Sequence, residues 1–288
     1  MKLFFFNTRG ATRFLKDILL CLSTPIILSE YLRPEIGREY GLGLWQKLKL
    51  GIRMKRNTRN ITTGTHPFEH LLMATQILKL PKGSDGCIVE CGTFKGGSAA
   101  NLSLISAICG RELEIFDSFE GLPEPTDVDR EHVLISGEKV HSYNKGAWCG
   151  TLPEVKENIS KFGDVEVCKF NVGYFESSLP SFNRKCVLAF VDVDLVASLL
   201  TCLKYLWPLL EDGSYLFVHE ATHQEIAAIF FDKTWWHTNL NADAPGLVGA
   251  GSGLGLFPAT GGFVSNIGYT VKRPTVNKFK LEPQTGHL

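Results

Sequence analysis

The 288-residue sequence lacks the patterns that mark several common classes of protein. It contains neither the GxGxxG pattern of dinucleotide-binding domains nor the GxxxxGK[ST] phosphate-binding loop. Its eight cysteines stand singly, with no CxxC pair. This argues against a zinc ribbon or a disulfide framework and favours a reducing compartment, so we expect a cytoplasmic protein. The 30 basic residues balance the 30 acidic residues, so the charge gives no support to nucleic-acid binding.

The sequence also lacks an apolar run long enough to cross a membrane. Residues 18–32 are apolar but are interrupted by Ser23 and Pro25, and they fall short of the roughly 20 residues that a transmembrane helix needs. No cleavage site for a signal peptide is evident. We expect residues 1–62 to form a helical, basic extension that packs as a buried helix or as a homodimer contact. A weak peripheral contact with a membrane is the alternative. The Arg- and Lys-rich residues 34–62 are predicted to be a solvated connector.

Beyond Thr65 the sequence alternates between strand and helix patterns. Strands are predicted at Cys87–Glu90, Leu113–Asp117, Val165–Phe170, Cys186–Val191, Tyr215–Val218 and Val264–Val271. Helices are predicted from Pro67, over Ser98–Cys109, after Thr151, over Val196–Leu206 and after a Thr222/Glu225 capping box. This order predicts an α/β fold, a three-layer sandwich with a mainly parallel sheet, in a domain of residues 63–288. Ligands of such sheets bind at the carboxyl ends of the strands, so the residues after each strand are the candidates for a site.

The first candidate site is the Gly-rich segment ECGTFKGGS, residues 90–98, where a predicted strand gives way to a helix. Glycines let the backbone approach a ligand closely, and the helix N-terminus offers free N–H groups. The acid at its start, Glu90, suits a positively charged amino acid part of a ligand better than a pyrophosphate. A plain strand-to-helix turn is the alternative.

The second candidate site is Asp117, which ends the next predicted strand about one βα unit later. An acid at this place can accept hydrogen bonds from both hydroxyls of a ribose. Alone, Asp117 is equally compatible with a helix cap or a turn. Together the two sites predict a nucleoside-binding α/β domain.

Several motifs occur in order over roughly residues 65–235: GCIVECGTFKGGSAANLS, EIFDSFEGLPEP, the Trp148-Cys149 pair and FVDVDLVASLLTCLKYLWPLLEDGSYLFV. On these motifs the sequence resembles the macrocin/mycinamicin O-methyltransferase family, class I enzymes that methylate sugar hydroxyls of natural products. The resemblance implies a Rossmann-like methyltransferase fold and S-adenosylmethionine as the cofactor. It also implies a small-molecule or glycan acceptor that carries a hydroxyl, without identifying the acceptor.

Carried over by position, the resemblance implies that the cofactor lies along the ends of the first three strands. Glu90, Gly92 and Gly96 would line the methionine part, Asp117 would hold the ribose, and residues 173–175 would approach the adenine. The implied cofactor-binding residues are Glu90, Gly92, Thr93, Gly96, Ser98, Asp117, Ser118, Gly173, Tyr174 and Phe175.

The third candidate site is Asp192-Val193-Asp194, directly after the predicted strand CVLAFV. In the family the first acid of this motif helps to bind a divalent metal and activates the acceptor hydroxyl, and Asp192 is the matching position. Such help is needed because a sugar hydroxyl is a poor nucleophile until a base or a metal promotes proton loss. The alternative is that Asp192 and Asp194 only cap the following helix.

The sequence departs from the family after the next strand. The family usually carries two adjacent aspartates there, both metal ligands, but this chain reads His219-Glu220-Ala221. Asp192, His219 and Glu220 can still form a metal site, with Mg²⁺ as the candidate ion. Both new residues reach one cavity only if the strand has ended before them. His219 is alternatively a metal-free general base, since the ordinary pKa of histidine is about 6.5.

Two further regions are candidates for the acceptor surface. Residues 121–150 form a long connection that includes Pro123, His132, His141 and Trp148, and connections of this length are lids or binding loops, or else are disordered. Residues 235–237, Trp-Trp-His, form an aromatic wall or simply belong to the core.

Two competing functions follow from the same residues. A nicotinamide-dependent oxidoreductase shares the sheet and the ribose-binding acid, but the missing GxGxxG pattern counts against it. A cofactor-binding scaffold without catalysis is favoured by the changed metal pair and opposed by the retained Asp192.

Overall fold

The structure, a computed structural model, describes residues 28–129, 132–134, 137, 139, 143–249 and 266–273. In this part of the chain a six-stranded sheet has the order β3-β2-β1-β4-β5-β6. All neighbouring strands are parallel except β5 and β6, which are antiparallel. The strands are β1 (Cys87–Cys91), β2 (Leu113–Asp117), β3 (Cys168–Val172), β4 (Cys186–Val191), β5 (Leu210–Val218) and β6 (Gly268–Val271).

Helices cover both faces of this sheet. One face carries α1 (Leu44–Asn60), α2 (Pro67–Leu78), α3 (Gly97–Cys109) and α4 (Leu152–Phe162); the other carries α5 (Phe175–Ser178), α6 (Val196–Leu206), α7 (Gln224–Ile229) and α8 (Lys233–Leu240). Successive side chains of a strand point to opposite faces, and in β1 Ile88 packs with the first layer while Val89 packs with the second. The predicted three-layer α/β fold with a mainly parallel sheet is confirmed. No helix among the described residues is long and apolar enough to span a membrane.

Several predicted boundaries shift for identifiable reasons. Residues Val165–Val167 form a 3₁₀ helix, so β3 begins only at Cys168. Strand β5 begins at Leu210, before the predicted Tyr215, and contains an irregularity: its register against β4 jumps between Cys186 and Leu188, and Gly213 has a φ of 86°. The predicted Thr222/Glu225 capping box is wrong, because α7 starts at Gln224 without a side-chain cap. The Glu225 carboxylate instead accepts a hydrogen bond from the backbone N–H of Val133.

The prediction that residues 34–62 form a solvated connector is also wrong. Most of this segment is α1, whose residues Leu50, Met54 and Asn57 are buried at positions that share one helical face. The Arg and Lys residues that suggested a connector alternate with these buried positions along the helix. The division at residue 62 stays a prediction, as do the dimer and membrane contacts assigned to residues 18–32, most of which lie outside the described residues.

A buried chain of polar side chains joins α1, α2 and α3. Asn57 Nδ2 donates to Asn101 Oδ1 at 2.8 Å, and Asn101 Nδ2 lies 2.7 Å from His70 Nδ1. The second ring nitrogen of His70 lies 2.6 Å from Thr65 Oγ1. Burial lowers the pKa of His70 to about 3, so the ring is neutral and supplies one acceptor and one donor to this chain.

Replacing Asn101 by alanine should therefore destabilise the fold. We expect Asn101→Ala to lower the free energy of unfolding by about 2 kcal/mol, because Asn57 and His70 are left with unsatisfied buried groups. Urea unfolding followed by circular dichroism measures this change. Asn239→Ala, on the exposed face of α8, is the matched control and should change stability by less than about 0.5 kcal/mol. Equal effects of the two substitutions would contradict the role given to the buried chain.

Candidate active site

The carboxyl ends of the parallel strands surround a cavity of about 540 Å³. Of the thirteen residues assigned from the sequence to the cofactor or the metal, ten line it: Gly92, Thr93, Ser98, Asp117, Ser118, Tyr174, Phe175, Asp192, His219 and Glu220. The cavity is therefore one continuous space that joins the candidate cofactor positions to the candidate metal ligands. This is the place where parallel α/β sheets bind ligands.

The other three of these thirteen residues, Glu90, Gly96 and Gly173, do not line the cavity. Gly96 precedes α3 with a φ of 83°, and Gly173, with a φ of 133°, donates a backbone hydrogen bond to the carbonyl oxygen of Asp117. Both glycines shape the turns that carry lining residues. Glu90 is fully buried behind the Gly-rich turn, where burial raises its pKa to about 8. Its Oε2 accepts a hydrogen bond from Thr93, and its Oε1 has no partner among the described residues. A direct role of these residues toward the cofactor stays a prediction.

Asp117 is held in place by the backbone of two turns. Its Oδ2 accepts a hydrogen bond from the N–H of Thr93 and its Oδ1 accepts one from the N–H of Phe119, both at 2.7 Å. Burial nevertheless raises its pKa, so desolvation outweighs these bonds. Each carboxylate oxygen retains a further lone pair, and the side chain lines the cavity. Asp117 is thus able to accept hydrogen bonds from a pair of ligand hydroxyls.

Gly92 is where the turn after β1 meets the turn after β4. It has a φ of 80°, and a Cβ atom built on it would lie 1.8 Å from the backbone oxygen of Asp192. The N–H of Asp192 also donates to the carbonyl oxygen of Cys91 at 2.8 Å. The close approach of these two turns places Asp192 beside the Gly-rich segment.

Adding a methyl group at Gly92 should force the two turns apart. We expect Gly92→Ala to cost about 3 kcal/mol of folding stability, the sum of the left-handed backbone conformation and the clash with Asp192. Gly83→Ala is the matched control, because Gly83 has a φ of 79° with open space around it, and it should cost only about 1 kcal/mol. Chemical denaturation of both variants measures the difference. Equal losses would show that the close approach itself does not matter.

Asp192, His219 and Glu220 form a compact cluster in the wall of the cavity. One ligand atom from each residue lies within 4.8 Å of the other two. His219 Nδ1 is 3.3 Å from Asp192 Oδ1 and contacts Glu220 Oε1. Strand β5 ends at Val218, and Glu220 takes a left-handed conformation with a φ of 53°. The strand has therefore ended before both residues, and this turn brings the two adjacent side chains to one cavity.

The carboxylates around His219 control its protonation. Burial disfavours the charged imidazole, but Asp192 and Glu220 outweigh burial and raise the pKa of His219 well above its ordinary value. A protonated imidazole has no free lone pair and cannot accept a proton. The raised pKa therefore weakens the alternative in which His219 is a metal-free general base. The same excess of negative charge suits a divalent cation, so the donor set fits a metal.

Comparison with known proteins assigns the chain. The family profile described as macrocin-O-methyltransferase (TylF) matches residues 60–244, more than half of the chain, and this span includes every candidate site residue. The chain belongs to the TylF macrocin-O-methyltransferase family. It is therefore an S-adenosylmethionine-dependent O-methyltransferase, and the predicted oxidoreductase alternative has no remaining support. No curated protein sequence matches the chain significantly.

The chain is similar to solved structures of O-methyltransferases. The calicheamicin methyltransferase CalS11 superposes with a TM-score of 0.50 at 18% identity, over 93% of this chain and 94% of that one. The O-methyltransferase NovP gives a TM-score of 0.48 at 16% identity, over 90% of this chain and all of that one. The identity to CalS11 is low, so this likeness concerns the fold.

In this TylF-family chain the helix after β4 is not capped by the acids that precede it. Helix α6 begins after Leu195 with no side-chain cap, and the backbone N–H of Val196 instead donates to Asp129 Oδ1 at 2.7 Å. The alternative in which Asp192 and Asp194 cap this helix is therefore wrong. Asp192 is left free to face the cavity, and Asp194, with a φ of 58°, lines it as well.

The long connection supplies part of the cavity wall, as predicted from its length. Pro123, Tyr143 and Trp148 line the cavity, whereas His132 is buried behind it and His141 lies outside the described residues. The tryptophans of α8 belong to the core: Trp236 is fully buried and packs edge-on against Trp207, with ring centroids 4.7 Å apart. None of residues 235–237 lines the cavity.

Sequence reasoning missed two kinds of residue. Glu69 of α2 reaches the cluster, with Oε2 3.8 Å from His219 Nε2, although it is remote from His219 in the sequence. Thr63 and Asn266 line the cavity from segments that carry no recognisable motif. The one sequence feature near Glu69 is the start of α2, where Pro67 stands at the first helical position. Glu69 forms a capping box with His66 there.

Proposed function

We propose that the chain transfers the methyl group of S-adenosylmethionine to a hydroxyl of a sugar, either in a glycan or on a small molecule. The observation that carries this proposal is the single cavity that joins Asp117 to the Asp192, His219 and Glu220 cluster. A cofactor at one end and an activated hydroxyl at the other can then meet inside it. A sugar acceptor also agrees with the activity named for CalS11, a TDP-rhamnose 3'-O-methyltransferase.

The cofactor occupies the part of the cavity lined by the turns after β1, β2 and β3. Asp117 accepts hydrogen bonds from both ribose hydroxyls, Gly92 and Thr93 lie along the methionine part, and Tyr174 and Phe175 flank the adenine. In support, all five line the cavity, and Asp117 is fixed by two backbone N–H groups. Ser98 and Ser118 complete this part of the wall.

Asp192 receives the proton of the acceptor hydroxyl. As the acceptor oxygen forms its bond to the methyl carbon, the bond from that carbon to sulfur breaks, S-adenosylhomocysteine leaves, and the proton moves to the carboxylate. Asp192 suits this role because its side chain faces the cavity and is not used for helix capping. The remaining requirement is in-line placement of the oxygen, which the walls of the cavity provide.

Asp192, His219 and Glu220 also hold a divalent cation, with Mg²⁺ as the first candidate. When bound, such a cation lowers the pKa of a hydroxyl that contacts it. Burial raises the pKa of Glu220 to about 7. The Glu220 carboxylate therefore needs a nearby positive charge to stay ionised, and a bound cation would supply that charge.

The acceptor class is tested with a panel of hydroxyl compounds and methyl-labelled S-adenosylmethionine. The panel contains nucleotide sugars, glycosylated small molecules with one sugar each, the matching aglycones and a catechol. Mass spectrometry should find the label on the sugar of at least one glycosylated member and on no aglycone. Label on the catechol or an aglycone alone would overturn the sugar assignment. Cofactor binding without any transfer across the panel would favour the scaffold alternative.

A further inference from the structure

His219 is bracketed by carboxylates on both sides of its ring. Its Nδ1 faces Asp192 and Glu220, the two acids that would share an ion with it, and its Nε2 faces Glu69 Oε2 at 3.8 Å. When a cation takes the place of the proton on Nδ1, the lone pair of Nδ1 would face that cation together with the two acids, and the N–H that remains on Nε2 would lie toward Glu69. At 3.8 Å this contact is an ion-pair distance, and a carboxylate so placed favours the tautomer of a ligating histidine that carries its proton on Nε2.

Glu69 is itself held rigidly. Its side chain is only 4% exposed, Oε2 accepts a hydrogen bond from the N–H of His66 at 2.7 Å, and Oε1 accepts one from the N–H of Asn266 at 3.1 Å. The first bond is half of the capping box of α2. Because the helix cap fixes this carboxylate, Glu69 offers His219 a charge in one position and not a mobile counter-ion.

A nitrogen ligand changes which cation such a cluster prefers. Mg²⁺ favours oxygen ligands in an octahedral arrangement and gives up water reluctantly, so two aspartates serve it well. Imidazole favours first-row transition ions, whose affinity for nitrogen and oxygen ligands rises from Mn²⁺ through Fe²⁺ and Co²⁺. His219 stands where the family usually has an aspartate, and it keeps a supporting carboxylate of its own.

We propose that His219, oriented by Glu69, makes this site selective for a divalent transition ion such as Fe²⁺ or Co²⁺ over Mg²⁺. The inference rests on the proposed function, in which the cluster holds a cation. Within it, His219 is the residue that determines the choice of ion, and Glu69 is a positioning residue that does not touch the ion.

The choice of ion is tested by calorimetric titration with CoCl₂ and MgCl₂, without cofactor or acceptor. The wild-type protein should bind Co²⁺ more tightly than Mg²⁺, and in His219→Asp this preference should fall at least about tenfold. The Co²⁺-loaded wild-type protein should also show a hyperfine-shifted, exchangeable imidazole N–H proton in its NMR spectrum, which His219→Asp lacks. An unchanged preference, no Co²⁺ binding, or no such proton in the wild-type protein would overturn the proposal. Co²⁺ binding and the shifted N–H proton are measured on the wild-type protein, so both tests remain valid even if His219→Asp does not fold.

The role of Glu69 is tested on the same signal. In Glu69→Gln we expect Co²⁺ to bind about 10- to 100-fold more weakly. The shifted N–H proton should also exchange faster with solvent, because its carboxylate partner is gone. His66→Ala is the matched control, since it removes the other half of the capping box and leaves Glu69 in place. Equal changes in the two variants would mean that Glu69 acts only through the helix cap and would overturn its positioning role.

The titrations and the labelled assay test the ion selectivity and the methyl transfer separately. Binding of Co²⁺ with the expected preference, but without methyl transfer in the labelled assay, would contradict the proposed function and leave the ion selectivity intact. Methyl transfer that proceeds equally well with Mg²⁺, together with an unchanged preference in His219→Asp, would contradict only the selectivity.

Discussion

Replacement of Asp192 by asparagine should lower the rate of methyl transfer about 10³-fold while leaving cofactor affinity nearly unchanged. The carboxylate takes the proton of the acceptor hydroxyl and contributes a charge to the cation site, and a positioned base alone is worth about 10²- to 10⁴-fold. Asparagine has nearly the same shape but supplies neither the base nor the charge. Single-turnover rates with labelled cofactor and calorimetric titration with S-adenosylhomocysteine measure the two quantities separately.

An exposed aspartate provides the control for this substitution. Asp243 lies in the segment after α8 and does not line the cavity, so Asp243→Asn should turn over at the wild-type rate. A normal rate in Asp192→Asn would remove Asp192 from the chemical step. A loss of cofactor affinity equal to the loss of rate would instead assign it to binding.

Asp117→Ala should weaken the binding of S-adenosylhomocysteine about 10³-fold. A hydrogen bond to a charged group contributes about 1.5 to 3 kcal/mol, and this carboxylate is expected to accept one from each ribose hydroxyl. Two such bonds correspond to about three powers of ten in affinity. Isothermal titration calorimetry of the variant and the wild-type protein measures the loss.

The variant also frees the N–H groups of Thr93 and Phe119, which Asp117 now binds, so part of any loss could come from the displaced turns. A second ligand separates the two causes. S-adenosylhomocysteine that lacks both ribose hydroxyls should bind the wild-type protein about as weakly as the intact ligand binds Asp117→Ala. The affinity of this modified ligand should fall little further in Asp117→Ala, because its hydrogen bonds to Asp117 are already absent. Independent, additive losses from the two changes would contradict contact between Asp117 and the ribose.

The parts of the fold that followed from local pattern were predicted well. The β2 and β4 strands and the α6 helix have the predicted limits. An uninterrupted apolar run specifies β4, and a regular helical spacing specifies α6. Helix α4 starts where predicted, with Thr151 accepting a hydrogen bond from the N–H of Glu154. Helix α1 was predicted as a solvated connector and not as a core element, because its Arg and Lys residues hid the buried face of Leu50 and Met54.

The parts of the site that depend on tertiary contacts were not predictable in the same way. Val196 is capped by Asp129 from the long connection, and His219 is faced by Glu69 from a helix on another segment. The two residues of each pair are far apart in the sequence, so no local spacing relates them. They meet only in the folded chain. The Gly92 turn is an intermediate case: its glycine was noticed, but its reason, the approach of the Asp192 backbone, is visible only in three dimensions.

The most direct test of the central claim is calorimetric titration of the purified protein with S-adenosylhomocysteine, with NAD as the control ligand. We expect one binding site for S-adenosylhomocysteine per chain, about 10³-fold weaker in Asp117→Ala, and no binding of NAD. Binding of NAD, or no binding of S-adenosylhomocysteine by a folded protein, would contradict the assignment of this cavity to the methyl donor.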